Sequence, residues 1–458
     1  MRRLADRIVR LIARAATAGW FHAVDVTGLE RIPRTGPVLL VASHHGGFVD
    51  PALLIAVIPR PIRFLAMGTL FRNPVLGALL RFGGALPVHR AQDSAGAAGT
   101  VGNVHTFAAC FDRLREGGAI GIFPEGEASD EPRLLPLRNG AARIAIGAHA
   151  RGTMGLRIVP VGLIYESKQR ARSRAYVRVG EPIAMDEDLA TNPSVPPDET
   201  DRAEVTALME RIEEHLTDAA VDYESAEERA ELRLAADVAL RWEQGDPRGR
   251  PSIGDVERLA DRLSEAPDPI VREVREASRS YRDELDAVGV PDAVVAPGAE
   301  EALAKRGRFS WLLTLAIAPL AVVGLLANAL PTLGVFLAGR KLAPPVRHAT
   351  IKFLTAFVLF PLDWLLLRYW VFAGVRFAWL WTLFVGPLCG LATLWCVGRV
   401  LRARRARLGL ERLAAATGLV DDLRARRARL VDAVGAASEA PAEDPSRPDG
   451  AGSLDVHP

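Results

Sequence analysis

The chain has 458 residues, with 57 Lys and Arg against 55 Asp and Glu, a formal net charge of +2 and three cysteines. The net charge conceals local blocks of opposite sign and so says little about partners, though nothing in the chain indicates nucleic acid, and Cys110, Cys389 and Cys396 show no disulfide framework or Cys/His metal cluster. The length exceeds one ordinary domain, and composition divides the chain into a mixed first 190 residues, a charged helix-forming middle and an overwhelmingly apolar stretch over 309–400.

Residues 1–22 predict a basic amphipathic helix, and Arg10 and Arg14 interrupt what would be the apolar core of a signal peptide. A cytoplasmic catalytic part is the corresponding expectation. Pro37 to Ala42 is a buried-strand pattern that runs directly into Ser43-His44-His45-Gly46-Gly47-Phe48-Val49-Asp50-Pro51 and then a helical ALLIAV run. Two imidazoles and a carboxylate within seven residues suit general-base catalysis: a neutral imidazole takes a hydroxyl proton while the carboxylate fixes its tautomer. Taken alone, turn or capping roles explain these polar residues equally well. Gly83 to Arg90 predicts a turn and a short strand ending in Arg90, a guanidinium suited to phosphate. Ala119 to Phe123 is a second buried strand and opens into Pro124-Glu125-Gly126. The glycine permits close backbone approach, and the carboxylate falls at a strand's carboxyl end, where open α/β sheets gather ligands. Ile158 to Leu163 is a third apolar strand, either core or the wall of an acyl channel.

Helical periodicity recurs over 201–219, 226–240, 253–263 and 270–288, which assigns 198–300 to an accessory helical unit serving as a packed spacer. Trp311 to Leu330 and Phe377 to Gly398 are uncharged runs close to the roughly 20 residues a spanning helix needs, while 353–375 is apolar except for Pro361, Asp363 and Arg368. Lys and Arg crowd all three flanks of this region, including nine Arg against three acidic residues over 401–430. By the positive-inside tendency these flanks are cytoplasmic, which fits a re-entrant segment over 311–338, broken at Pro319 or Pro331, followed by helices at 353–375 and 377–398. Three plain spans are the alternative. The 401–430 stretch predicts a basic helix, solvated or resting on anionic lipid, and 437–458 a disordered tail.

In their order and spacing the motifs resemble the glycerolipid acyltransferase superfamily, whose members share a His-x-x-x-x-Asp box, a Gly/Pro-Val-x-Arg box, a Phe-Pro-Glu-Gly box and a Val-Pro-Val box. Phe123-Pro124-Glu125-Gly126-Glu127-Ala128-Ser129-Asp130, Leu134 to Gly140, and Arg172-Ser173-Arg174-Ala175 with Val179 to Ile183 look like its glycerol-3-phosphate/dihydroxyacetone-phosphate acyltransferase branch, over roughly residues 20–190. The chain departs from the family with Ser43 where Asn is common, and with Glu127-Ala128 in the third box. Four-residue spacing to Asp50 selects His45, whereas the local match Ala-Ser-His-x-x-x-Phe-Val-Asp-Pro favours His44.

The resemblance implies a mixed α/β sheet flanked by helices, with the boxes converging on one cleft at the face of a multi-pass cell-membrane protein. It implies His44 or His45 as base, Asp50 as its orienting partner, and Arg90, Glu125, Gly126 and Arg138 as ligands of a glycerol-phosphate. The acyl donor would be acyl-CoA or acyl carrier protein, with no metal and no other cofactor. Transfer to lysophosphatidate or another lysophospholipid is the neighbouring alternative, and a non-catalytic lipid-binding scaffold the distant one.

Overall fold

The computed structural model describes residues 2–88, 97–131, 133–188, 199–220, 223, 225–243, 250–296, 299–341, 348–371, 373–415 and 418–439. They form two compact units, Met1–Glu224 with Leu312–Gly398, and Ser225–Trp311 with Arg399–Pro458.

The first unit is built on one mixed sheet. Its strands are β1 (Phe21–Thr27), β2 (Val38–Ala42), β3 (Ile62–Met67), β4 (Leu86–Val88), β5 (Ala119–Ile122), β6 (Arg157–Tyr165), β7 (Ser173–Val179) and β8 (Ile183–Ala184), in the order β1-β7-β6-β2-β5-β3-β4 with β8 beside β6. Strands β6, β2, β5, β3 and β4 run parallel, whereas β7 and β8 pair with β6 antiparallel. Every residue of β2 and β5 is buried, as expected of parallel strands covered on both faces. Side chains alternate between two cores. Leu39, Val41, Ile120 and Ile122 pack with α4 (Ala97–Arg115), α5 (Gly140–Ala150) and α7 (Arg202–Ala220), while Val38, Leu40 and Ala42 pack with α1 (Arg2–Trp20) and α2 (Val49–Val57).

Proline is rare inside a central strand because it donates no ladder hydrogen bond. Pro160 fits because β6 changes partners there: β8 pairs at Arg157 and Ile158, β7 from Val161 onward. The Pro160 carbonyl accepts the Gly180 N–H of the intervening turn at 2.9 Å. The β6 side chains fill the two cores, so this strand is core and not channel wall. Burial pushes the Cys110 thiol up to about 12, in keeping with a packing role.

Three boundaries differ from expectation. Helix α7 belongs to the sheet unit and not to an accessory region beginning at 198: Val205, Leu208, Met209, Ile212 and Leu216 complete the core that also holds Ile158 and α5. Local periodicity marks the buried face of a helix but not what buries it. The accessory unit holds α8 (Ala226–Glu243), α9 (Ile253–Ser264), α10 (Asp268–Val288) and α11 (Asp292–Val295), joined by the C-terminal helices. The stretch 401–430 is not one solvated helix. It divides between α15 (Gly386–Ala415) and α16 (Leu419–Glu439), whose Leu423, Arg427, Leu430 and Val434 are buried. Asp292 gathers this unit, accepting from Tyr281 Oη at 2.7 Å, Arg241 at 2.8 Å and Arg427 at 2.9 Å. The chain remains helical to Glu439, past the expected start of the tail at 437, and 440–458 lie outside the described residues.

In the apolar region, α12 (Ala299–Ala327) and α13 (Ala329–Lys341) bend by 59° at Asn328, which makes them a broken span or a re-entrant pair by length and composition. The break falls at neither expected proline. Pro319 lies inside α12, and Pro331 sits in the first turn of α13, where its missing N–H costs nothing. Asn328 itself holds the bend: its Nδ2 donates to the Gly324 carbonyl and its Oδ1 accepts Trp364 Nε1, each at 2.8 Å. Among the described residues, Thr350–Trp370 of α14 (His348–Trp370) is the one unbroken helix long and apolar enough to cross a membrane. The segment 377–398 is not one regular helix, because a π-helical turn at Trp381–Val385 precedes α15.

Candidate active site

The site forms where β2 and β5 end. Beyond β2, the Ser43 N–H donates to the Val161 carbonyl at 3.1 Å and Ser43 Oγ accepts the Leu163 N–H at 2.9 Å, which extends the β2–β6 ladder and delivers His44 to the sheet's carboxyl edge. The chain then turns through Gly46 and Gly47 into α2. Gly47 has φ +62°, a left-handed conformation that favours glycine. At Gly46 a Cβ would lie 2.5 Å from Asp50 Oδ1, so only glycine allows that carboxylate to fold back over the turn.

Asp50 is fully buried in the first turn of α2 and fully partnered. It accepts His44 Nδ1–H at 2.8 Å, the Gly46 N–H at 2.8 and 2.9 Å, and Tyr165 Oη–H at 2.5 Å. A carboxylate only accepts, so Nδ1 carries a proton, and in the neutral ring the lone pair is on Nε2. The ring that reaches Asp50 is thus that of His44, and the His45 carbonyl accepts Lys168 Nζ at 2.5 Å. Phe123 stacks on the His44 ring with centroids 4.3 Å apart.

Glu125 is tied to the backbone of the site. Its two oxygens accept the His44 N–H at 2.6 Å and the Leu135 N–H at 3.1 Å, so it fixes the backbone that carries His44. Burial pushes its carboxyl above the usual range, against the pull of those two hydrogen bonds. Gly126, at φ +76°, lies under Arg138, whose Nε would be 2.6 Å from a Cβ there, and the Arg138 N–H donates to the Pro124 carbonyl at 2.9 Å. An exposed guanidinium therefore lies against the Pro-Glu-Gly turn. Arg90 lies outside the described residues.

Two contributors escaped the sequence. Lys168 joins the first and third boxes through the His45 carbonyl and the Ser129 carbonyl, the latter at 2.7 Å, and pairs with Asp130. Tyr165 ends β6, and the alternation Val161, Leu163, Tyr165 that puts it on the Asp50 side was visible as a period of two. Burial, then the Asp50 charge and hydrogen bond, push the Tyr165 phenol well above its ordinary range. Its folded pKa is raised, so the proton is held more firmly in the folded protein. That stability is complete below about pH 10, where an unfolded tyrosine titrates, and is lost as pH rises through the folded value. Tyr165→Phe is therefore expected to lower stability near neutrality by roughly 2 kcal/mol. Melting temperatures over a pH series should show the gap narrowing above about pH 10.

A buried carboxylate, an imidazole hydrogen-bonded to it and a backbone-bracing glutamate meet at the sheet's carboxyl edge, an arrangement whose geometry suits general-base chemistry. Residues 23–164 match the family model described as Acyltransferase, which marks this part of the chain as an acyltransferase domain. The chain is 34% identical over 199 residues to glycerol-3-phosphate O-acyltransferase 2 of Saccharomyces cerevisiae, covering 42% of this chain and 25% of that protein. It is 31% identical over 123 residues to a 1-acyl-sn-glycerol-3-phosphate acyltransferase of Bacillus subtilis, covering 27% of this chain and 56% of that protein. Among solved structures, the 1-acyl-sn-glycerophosphate acyltransferase PlsC of Thermotoga maritima aligns at 16% identity with a TM-score of 0.35, over 49% of this chain and 83% of that one. The chain thus spans a quarter of the yeast protein's length and just over half of the Bacillus protein's.

Proposed function

We propose that the protein transfers a fatty acyl group from a thioester, acyl-CoA or acyl carrier protein, to a hydroxyl of glycerol-3-phosphate at a membrane surface. The observation that carries this is the His44–Asp50 pair, which orients Nε2 as the proton acceptor. In the proposed step, Nε2 takes the hydroxyl proton as the oxygen attacks the thioester carbonyl. The tetrahedral intermediate collapses with cleavage of the C–S bond, and the imidazolium returns the proton to the departing thiolate. Asp50 stabilises the imidazolium in between. Arg138, against Gly126, and Arg90 are the proposed phosphate ligands. Helix α14 and the α12–α13 pair supply the membrane attachment.

Likeness to the yeast glycerol-3-phosphate acyltransferase supports this acceptor, and likeness to the Bacillus 1-acylglycerol-3-phosphate acyltransferase favours lysophosphatidate as the second reading. The test is a labelled acyl-CoA assay on the purified chain with both acceptors. Label should pass to glycerol-3-phosphate to give a lysophosphatidate. Consumption of lysophosphatidate with none of glycerol-3-phosphate would overturn the acceptor assignment.

A further inference from the structure

The turn between His44 and Asp50 is held from outside the sheet. Thr350, in the first turn of α14, accepts the Phe48 N–H on its hydroxyl at 3.2 Å and donates that hydroxyl to the Gly46 carbonyl at 3.3 Å. One side-chain oxygen thereby closes both ends of the Gly46–Gly47–Phe48 turn, 302 residues away in sequence from Phe48. The fit leaves no slack: a Cβ on Gly47 would lie 2.2 Å from Thr350 Oγ1. A threonine inside a helix ordinarily turns its hydroxyl to solvent or to a backbone carbonyl three or four residues earlier. This one spends its hydroxyl on another segment's backbone, and that backbone carries the Gly46 N–H that Asp50 accepts.

The rest of the turn is anchored as well. Phe353 is buried in the core that contains Leu40, Val49 and Val161, and meets the Trp20 ring edge-on at 5.5 Å. Lys352 Nζ reaches the Gln169 carbonyl at 3.5 Å, in the loop that also carries Lys168. The helix whose composition suits a membrane is therefore fastened to the histidine-bearing turn by Thr350, and to the rest of the sheet unit by Lys352 and Phe353.

We infer that Thr350 is a positioning residue for acyl transfer, acting through Gly46 and Phe48 on the His44–Asp50 pair, so that α14 holds the base in place as well as attaching the protein. Thr350 touches no reacting atom. The inference rests on the proposed transfer for its kinetic consequence but not for its structural one. Thr350→Val keeps the shape and removes both hydrogen bonds, Thr350→Ala also removes the methyl group, and Thr350→Ser keeps the hydroxyl.

The Val and Ala variants are expected to lose about tenfold or more in kcat, with KM for the donor within about twofold, because the base is displaced while the donor site is untouched. Ser should restore most of the rate. In parallel, hydrogen-exchange mass spectrometry on peptides covering 44–50 of the full chain in lipid nanodiscs should show faster exchange at this turn in Val and Ala, with wild-type exchange in Ser. Wild-type exchange and kcat in both Val and Ala would overturn the inference, as would a Ser variant no better than Val. The exchange measurement reads the staple whether or not the assigned acceptor is right. Absence of transfer by the wild type with any acceptor defeats the proposed function alone.

Discussion

His44→Ala is expected to reduce acyl transfer by about 10²- to 10⁴-fold, whereas His45→Ala retains most of the rate. The distinction follows from one bond. Asp50 is fully buried and directs its Oδ2 to His44 Nδ1 at 2.8 Å, so it is the His44 ring whose tautomer is fixed and whose positive charge, once formed, has a partner. Asp50→Asn should fall in the same range and lose stability by about 1 to 3 kcal/mol, because an amide puts a donor where one of the three donors now arriving at the carboxylate must be accepted, and it releases the His44 tautomer. Initial rates on purified variants, each assayed well below its melting temperature, decide the matter. A loss in His45→Ala with most of the rate retained in His44→Ala would show that the four-residue register of the box is the working one.

The sequence carried the site further than it carried the fold. Strands β2, β5 and β6 were legible because central strands of a covered sheet read as unbroken apolar runs, and the residues that follow β2 and β5 are those the site uses. What stayed illegible depends on partners distant in the chain. Two imidazoles adjacent in sequence are equivalent until the turn at Gly46–Gly47 chooses between them. The strand end that carries Glu125 did not report that its oxygens accept the backbone amides of His44 and Leu135. Tyr165 reaches Asp50 across 115 residues, and Thr350 reaches Phe48 across 302. The apolar region shows the same limit. Hydropathy counted charges correctly, but the bend is set by Asn328 and its bond to Trp364, a pairing between helices that prolines do not report. Helix α4, Ala97–Arg115, mixes glycines and polar residues without a clean helical face, and the strand it covers is what makes it a helix of the core.

Gly162→Val is expected to be the most destabilising single substitution considered for the sheet unit. A Cβ at Gly162 would lie 1.9 Å from the Ala219 carbonyl oxygen and 2.7 Å from Ala220 Cα, and these backbone atoms of α7 cannot rotate aside as a side chain would. Either α7 lifts from β6 or β6 shifts in the sheet. Lifting α7 exposes Val205, Leu208, Ile212 and Leu216, which now close the core beneath α5. Shifting β6 disturbs the Leu163 amide that holds Ser43 and the Tyr165 hydroxyl that holds Asp50, so stability and rate fall together. Overpacking of this kind costs about 3 kcal/mol. For a unit of this size that corresponds to a fall of roughly 6 to 12 °C in melting temperature. Gly19→Ala supplies the control: a Cβ there meets nothing within 4 Å, and within α1 it should leave stability equal or slightly raised. Differential scanning fluorimetry of the two variants beside the wild type separates close approach from a general cost of replacing glycine. A wild-type melting temperature for Gly162→Val would mean that α7 is not seated on β6, and that the sheet unit ends before residue 199.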